Sequence, residues 1–314
     1  MQAFTIPVVD MRDFSASAEL RERFVTAIGD ALRDIGFFAI TSHGLDSDEI
    51  ARTYRLIAQL FELSDDQKRS YESPQLRGQR GYTSFGREHA KDHDAPDLKE
   101  FWHVGQESAT SSETPDYPAN IWPTEFTAFR PHMLSIYGRL EQCALELLSA
   151  CSLYLGEAPD RLRSIAVGGN SILRLIHYPP LADDRDPRSV RAAPHEDINL
   201  ITLLVEATDS GLEILSRQGK WVPVVTPKNC IIVDAGDMLQ NITNGCFKST
   251  THRVVNPNQS NGRRYSMPFF VHARGEVALD PLASCVAKKD GTVHYPAITA
   301  GEYLHKRLVE IGLA

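Results

Sequence analysis

The chain has 314 residues, of which 42% are hydrophobic and 24% charged, the balance of a folded globular protein and not of a disordered one. Acidic side chains outnumber basic ones by 41 to 33, giving a formal net charge of −8 and arguing against a basic face for nucleic acid. Cys143, Cys151, Cys230, Cys246 and Cys285 are odd in number, scattered and free of any CxxC pair, which argues against a disulfide framework or a thiolate zinc site. The N-terminal stretch has no basic leader or apolar h-region, and no run approaches the roughly 18 apolar residues of a membrane span. A soluble cytoplasmic protein is the expectation, with no membrane or nucleic-acid partner and an oligomeric state that cannot be read.

In chain order, Ile6-Pro7-Val8-Val9-Asp10 reads as a short strand with proline at its start, where it is tolerated. Leu20, Phe24, Ile28 and Leu32 form the apolar stripe of a helix that ends near Gly36, and Phe37–Ile40 follows as a buried strand. A second helix begins after Asp46 or Ser47, and Ser64 with Gln67 forms a capping box for a further turn. Residues 72–123 are rich in Gly, Pro, Ser and charge and read as loops with short extended pieces. Thr124–Leu155 returns to helical period through Phe126, Phe129, Met133, Tyr137, Leu140, Ala144, Leu147, Leu148 and Cys151, predicting a long supporting helix.

From about residue 170 the texture is β-rich. Ser171–Tyr178, Leu200–Val205, Leu212–Leu215, Trp221–Val225, Cys230–Val233, His252–Val255 and Tyr265–Val271 are short runs bounded by turn residues, the pattern of an antiparallel sandwich or barrel. Helical and β segments are segregated, so the fold class is α+β. The architecture drawn from this is a jelly-roll core over 165–275. A mixed α/β N-terminal region (1–120) and the long helix (121–160) precede it, and a C-terminal segment (276–314) packs on it.

Within the β-rich half, His195 and Asp197 lie two apart, so an extended backbone points them to one side and Glu196 to the other. Alone this is weak, since 11 histidines and 41 acids among 314 residues give about one such pair by chance. His252, in the β-prone run 248–255, supplies a second imidazole. Two histidines and one carboxylate form the facial triad that favours Fe(II) and leaves open coordination positions. Arg264 and Ser266 share one face of a strand otherwise destined for burial, and an inward arginine there needs an anion, for which a guanidinium fork suits a carboxylate. Gly236 and Gly245 read as turn formers.

These motifs together resemble the isopenicillin N synthase-like branch of the Fe(II)/2-oxoglutarate dioxygenases. The similarity runs from Ile6-Pro7-Val8-Val9-Asp10 and Gly36–Gly44 through Gly81-Tyr82 and Asp97–Phe101. It continues through His195-x-Asp197, Gly236-Asp237, Thr243-Asn244-Gly245, His252-Arg253-Val254 and Arg264-x-Ser266. The resemblance implies a double-stranded β-helix with iron on His195, Asp197 and His252. It implies that 2-oxoglutarate chelates the iron while Arg264 and Ser266 hold its far carboxylate and Tyr178 supports it, with O2 taking the remaining position. The products would be succinate, carbon dioxide and a substrate hydroxylated or desaturated at an unactivated C–H bond. Many relatives carry asparagine where this chain has Ile176, and Arg174 either compensates or faces solvent. Tyr82, Phe85, Lys99, Phe101 and His103 are the candidate walls of the pocket for a small-molecule substrate. The alternatives are a 2-oxoglutarate-independent Fe(II) oxidase in which Arg264 and Ser266 bind a substrate carboxylate, a zinc hydrolase, and a non-catalytic jelly-roll binding protein.

Overall fold

A computed structural model describes residues 5–88, 96–107, 117–181, 189–256 and 262–310. Within the stretch expected to be loops, residues 89–95 and 108–116 lie outside the described residues. The first half contains β1 (Val8–Asp10), α1 (Arg12–Ser15), α2 (Ala18–Asp34), β2 (Phe37–Thr41), α3 (Ser47–Phe61), α4 (Asp65–Arg69), β3 (Gly81–Thr83), β4 (Glu100–Gly105), α5 (Phe129–Leu155) and α6 (Asp160–Ala166). The second contains β5 (Ile172–Tyr178), β6 (Ala192–His195), β7 (Ile201–Val205), β8 (Leu212–Leu215), β9 (Trp221–Pro223), β10 (Ile231–Ala235), α7 (Asp237–Ile242), β11 (His252–Val254), β12 (Arg264–Val271), α8 (Ala283–Ala287) and α9 (Ala300–Glu310). All seven expected β-rich runs are strands, with ends differing by at most two residues.

The helix starts follow from side chains that satisfy the first free amides. Ser17 caps α2 by accepting from the Leu20 amide, Asp46 caps α3 through the Glu49 amide, and Ser64 and Gln67 form the capping box of α4. The supporting helix α5 starts at Phe129, five residues later than its periodicity suggested. Pro131 sits in its first turn, where its missing N–H costs nothing, and this sets the start of the regular hydrogen bonding. Met133, Tyr137, Leu140, Ala144, Leu147 and Cys151 of α5 are all buried, and the helix packs on β7 and β12. Tyr137 meets Phe269 edge-on at 4.9 Å between ring centroids.

Eight strands form one sheet in the order β1-β2-β10-β7-β12-β5-β4-β3, and four form a second in the order β6-β11-β8-β9. Apart from the paired neighbours β8 and β9, successive strands of the second half cross between the two sheets, four in each, which is the jelly roll. The first half adds β1 and β2 at one edge of the larger sheet and β4 and β3 at the other. Alternation along β12 sends Tyr265, Met267 and Phe269 into the core beneath the helices, and Arg264, Ser266, Pro268 and Phe270 into the space between the sheets. The chemistry is therefore confined to the inner faces of the roll. No helix among the described residues is long and apolar enough to cross a membrane. All five cysteines are free, four of them buried.

Candidate active site

Strands β6 and β11 are antiparallel neighbours whose register sets His252 opposite His195. Their ring centroids are 4.4 Å apart. Asp197 lies just past the end of β6, in the bend that follows, so the turn as well as strand alternation brings it round. Nε2 of His195 and Nε2 of His252 are each 3.7 Å from Asp197 Oδ1. One ligand atom from each residue falls within 4.8 Å of the others.

The tautomers are fixed by backbone. His195 Nδ1 donates to the Ala193 carbonyl at 2.7 Å and His252 Nδ1 to that of Thr250 at 3.2 Å, and a carbonyl can only accept. Each Nε2 is left as a bare lone pair facing Asp197. The hydroxyl of Thr202 donates to Asp197 Oδ2, leaving Oδ1 toward the imidazoles. Two lone pairs and one carboxylate oxygen, each oriented by a hydrogen bond on its far side, are a donor set that fits Fe(II). Burial, with His195 beside it, pushes His252 down to about 4, so it is neutral and able to ligate at neutral pH. Burial and the adjacent Asp197 carboxylate push Asp234 well above the usual carboxyl range.

Arg264, Ser266 and Tyr178 line one cavity with the triad, and all three are buried. In the β5–β12 register Arg264 faces Tyr178 and Ser266 faces Ile176. The Arg264 guanidinium stacks 4.9 Å from the centre of the Tyr178 ring, and its Nε donates to the Asp209 carbonyl at 3.1 Å. Its Nη1 is buried without a partner among the described residues. A buried cation with an unused donor fits the far carboxylate of 2-oxoglutarate. Arg174 does not face solvent: its side chain is largely buried and lines this cavity beside Ile176. Both of its terminal nitrogens bind Glu88 at 3.1 Å, and its Nε donates to His103 Nε2 at 2.6 Å.

A second cavity of about 320 Å³ opens beside His195 and Asp197, within the size range of small-ligand sites. Of the five expected pocket residues, Lys99 and His103 line it. Phe101 is buried behind it against Ile176 and Tyr178. Tyr82 and Phe85 do not line it. Tyr82 pairs with Trp102 in the β3–β4 register, so its side chain leaves the opposite face and its hydroxyl binds Glu100, while Phe85 is exposed on the rim of that outer groove. Lys99 is held by Glu88 at 2.6 Å and Asp97 at 2.8 Å.

The sequence reading missed Glu88, and it missed Leu304, Arg307 and Leu308 of α9, which close one side of the cavity. The amphipathic spacing of Leu304 and Leu308 was the available signal. Glu196 avoids the triad as expected, but it also lines the cavity, its carboxylate accepting from the Thr251 hydroxyl.

Known proteins share this arrangement. Residues 6–125 match the family model described as non-haem dioxygenase in morphine synthesis N-terminal, and residues 169–273 match that of the 2OG-Fe(II) oxygenase superfamily. A proline hydroxylase of Petromyces alliaceus is 31% identical over 319 residues, covering 96% of this chain and 98% of the relative. A crystal structure of a 2OG-Fe(II) oxygenase family protein from Caulobacter crescentus superposes with a TM-score of 0.85 at 36% identity, covering 97% and 98% of the two chains. A full-length Neurospora crassa protein, solved in complex with alpha-KG, gives 0.87 at 27% identity, covering 97% and 95%. The chain belongs to the 2OG-Fe(II) oxygenase superfamily. It is an Fe(II)- and 2-oxoglutarate-dependent dioxygenase, an oxidoreductase that takes O2 as its oxidant.

Proposed function

We propose that His195, Asp197 and His252 hold the iron and that Arg264, with Ser266 and Tyr178, holds the far carboxylate of 2-oxoglutarate. The reaction is oxidation of an unactivated C–H bond of a small molecule seated in the cavity beside His195, with release of succinate and carbon dioxide. The observation that carries this reading is the convergence of two imidazole lone pairs and one carboxylate oxygen at the wall of a cavity of about 320 Å³. When bound, the iron and 2-oxoglutarate supply the oxidising chemistry.

The protein's own part is positioning. The Ala193 and Thr250 carbonyls fix the two imidazole tautomers, and the Thr202 hydroxyl fixes Asp197. Arg264 is 2% exposed, so a carboxylate bound to it is shielded from water. Ile172, Ile198, Phe270, Leu304 and Leu308 give the substrate cavity an apolar wall that excludes solvent from the reacting bond. A small substrate is supported by the same Neurospora crassa protein, which has also been solved with alpha-KG and thymine, and by the relative described as a proline hydroxylase.

The test is succinate release from the purified protein supplied with Fe(II), 2-oxoglutarate and a panel of small metabolites. Turnover should require both the metal and a panel compound, and His195→Ala should abolish it. Oxidation of a panel compound at an unchanged rate without 2-oxoglutarate would overturn the reading.

A further inference from the structure

Among the described residues three cations line the cavity beside His195, and each is paired with a carboxylate. Lys99 contacts Glu88 and Asp97, Arg174 is forked onto Glu88, and Arg307 reaches Glu310 at 2.9 Å and Asp237 at 3.5 Å. Glu196 is the opposite case, a carboxylate on the wall that pairs with no cation among the described residues. Among the described residues a substrate carboxylate would meet only cations that carboxylates already pair, Arg307 keeping a single unpartnered donor at its buried Nε, and it would meet Glu196 to repel it, in surroundings where charge is poorly screened.

Two neutral side chains on this wall are unused. His272 extends the inward face of β12 past Phe270 into the cavity and is 6% exposed. Its backbone amide is tied to Ser171 Oγ at 3.2 Å, yet neither ring nitrogen has a hydrogen-bond partner among the described residues. Burial pushes its pKa down to about 4, so the ring offers one N–H donor and one lone pair at neutral pH. The side-chain amide of Gln79 on the same wall likewise makes no hydrogen bond among the described residues, although its carbonyl oxygen on the backbone accepts from Arg80. His272 Nδ1 is a buried polar atom left open, which is costly unless a ligand completes it, whereas the half-buried Gln79 amide is free to turn to a ligand.

We infer that His272, with Gln79, determines specificity in this cavity by binding an uncharged group of the substrate that both donates and accepts, an amide or lactam, and that the cavity rejects a carboxylate at the same place. The inference rests on the proposed reading of this cavity as the substrate site. A lactam presents an N–H beside a C=O, which matches a neutral imidazole, with one donor and one acceptor, and a carboxamide, with an NH2 donor and a C=O acceptor. Phe270 and Ile172 then provide apolar contact for the faces of its ring.

The test is calorimetric titration of the Fe(II)- and 2-oxoglutarate-loaded protein, kept anaerobic, with matched probes: 2-pyrrolidone against pyroglutamate, and uracil against orotate. Members of each pair differ only by a carboxylate. The neutral member should bind at least about 10-fold tighter. His272→Phe should weaken it by roughly 10-fold to 100-fold, while His272→Asn, which keeps a donor and an acceptor, should stay close to wild type. Gln79→Leu should also weaken it, and it carries the test if His272→Phe does not fold. Equal or tighter binding of the carboxylates, no binding of either neutral probe, or unchanged affinity in the His272→Phe and Gln79→Leu proteins would overturn the inference. Failure of the iron and 2-oxoglutarate reading would instead show as absent metal and absent succinate, measured before the titration.

Discussion

His195 and His252, 57 positions apart in the chain, are direct register partners across one antiparallel strand pair, and this places their Nε2 atoms at equal 3.7 Å distances from Asp197 Oδ1. Register carries chemical weight here because a slip of one residue would turn one imidazole to the other face of its sheet. The β6–β11 ladder is irregular just after this pair, between His252 and Val254. The pair is the end rung of this ladder, where β6 gives way to the segment that delivers Asp197.

Thr202 is the outer support of that carboxylate. Its hydroxyl donates to Asp197 Oδ2 and itself accepts from Asn199 Nδ2 at 2.9 Å, so the carboxylate is held from a second strand, β7. Thr202→Val keeps the shape and removes the donor. Metal affinity should fall by roughly 10-fold to 100-fold, as for other lost supports of metal ligands, with the fold retained. Titration of apo-protein with Fe(II) under argon reads this directly, and an unchanged dissociation constant would remove Thr202 from the role.

Arg264 makes a different prediction because its Nη1 has no partner among the described residues. Arg264→Leu should raise the KM for 2-oxoglutarate by roughly 10-fold to 100-fold, the weight of a charge-assisted hydrogen-bond pair, and should leave Fe(II) affinity near wild type. Arg264→Lys keeps the charge but loses the fork and should fall between. Iron loss in parallel with the KM change would mean that the arginine supports the fold around the metal instead of the co-substrate.

The parts of this site that were legible in the sequence are those set by short periods. Alternation placed Arg264 and Ser266 on one face, and cap chemistry placed the starts of α3 and α4. Pocket walls were less legible, because whether a residue on β3 or β4 faces inward depends on register with a neighbour rather than on its own stretch. Tyr82 was drawn into the pocket for its proximity in sequence, yet its pairing with Trp102 turns it outward, while Glu88 reaches the cavity through an ion pair with Arg174, 86 positions away. The C-terminal helix was read only as packing, and its contribution to the cavity depends on where the roll leaves a side uncovered.

Glu88 also predicts an acid limit to stability. Burial alone would raise its pKa, but Arg174 and Lys99 more than reverse this and hold it well below the ordinary glutamate value of 4.5. A carboxyl depressed in the folded state contributes stability fully above its unfolded pKa and loses it as pH falls below about 4.5. Thermal melts from pH 7 to pH 3 should therefore show wild type losing stability steeply at the acid end. Glu88→Gln should be less stable at pH 7, by about 3–5 kcal/mol, because it leaves Lys99 and Arg174 undercompensated in the interior. The gap between the two proteins should narrow as the pH drops, and a gap independent of pH would contradict this account.

Gly236 tests whether the backbone around Asp197 tolerates any displacement. It was read as a turn former, but its φ of −94° is open to any residue; space is what restricts the site. A Cβ there would lie 2.3 Å from both the Asn199 carbonyl oxygen and Asn199 Oδ1. Those atoms belong to the segment that follows Asp197, and the two backbones are laced together. The amide of Gly236 donates to Leu200, that of Met238 to Asn199, and that of Asp237 to the Asp197 carbonyl at 2.7 Å. A single methyl group must therefore push the 197–200 segment away from α7 and move the carboxylate relative to the two imidazoles. Gly236→Ala should cost about 1–3 kcal/mol in stability, the range for overpacking a filled interior. It should lower Fe(II) affinity by at least about 10-fold, because a ligand held from both sides cannot shift without the support from Thr202 giving way. Melting temperature and metal titration together decide it. A protein that loses stability but keeps its iron affinity would show that the lacing supports the fold without setting the position of Asp197.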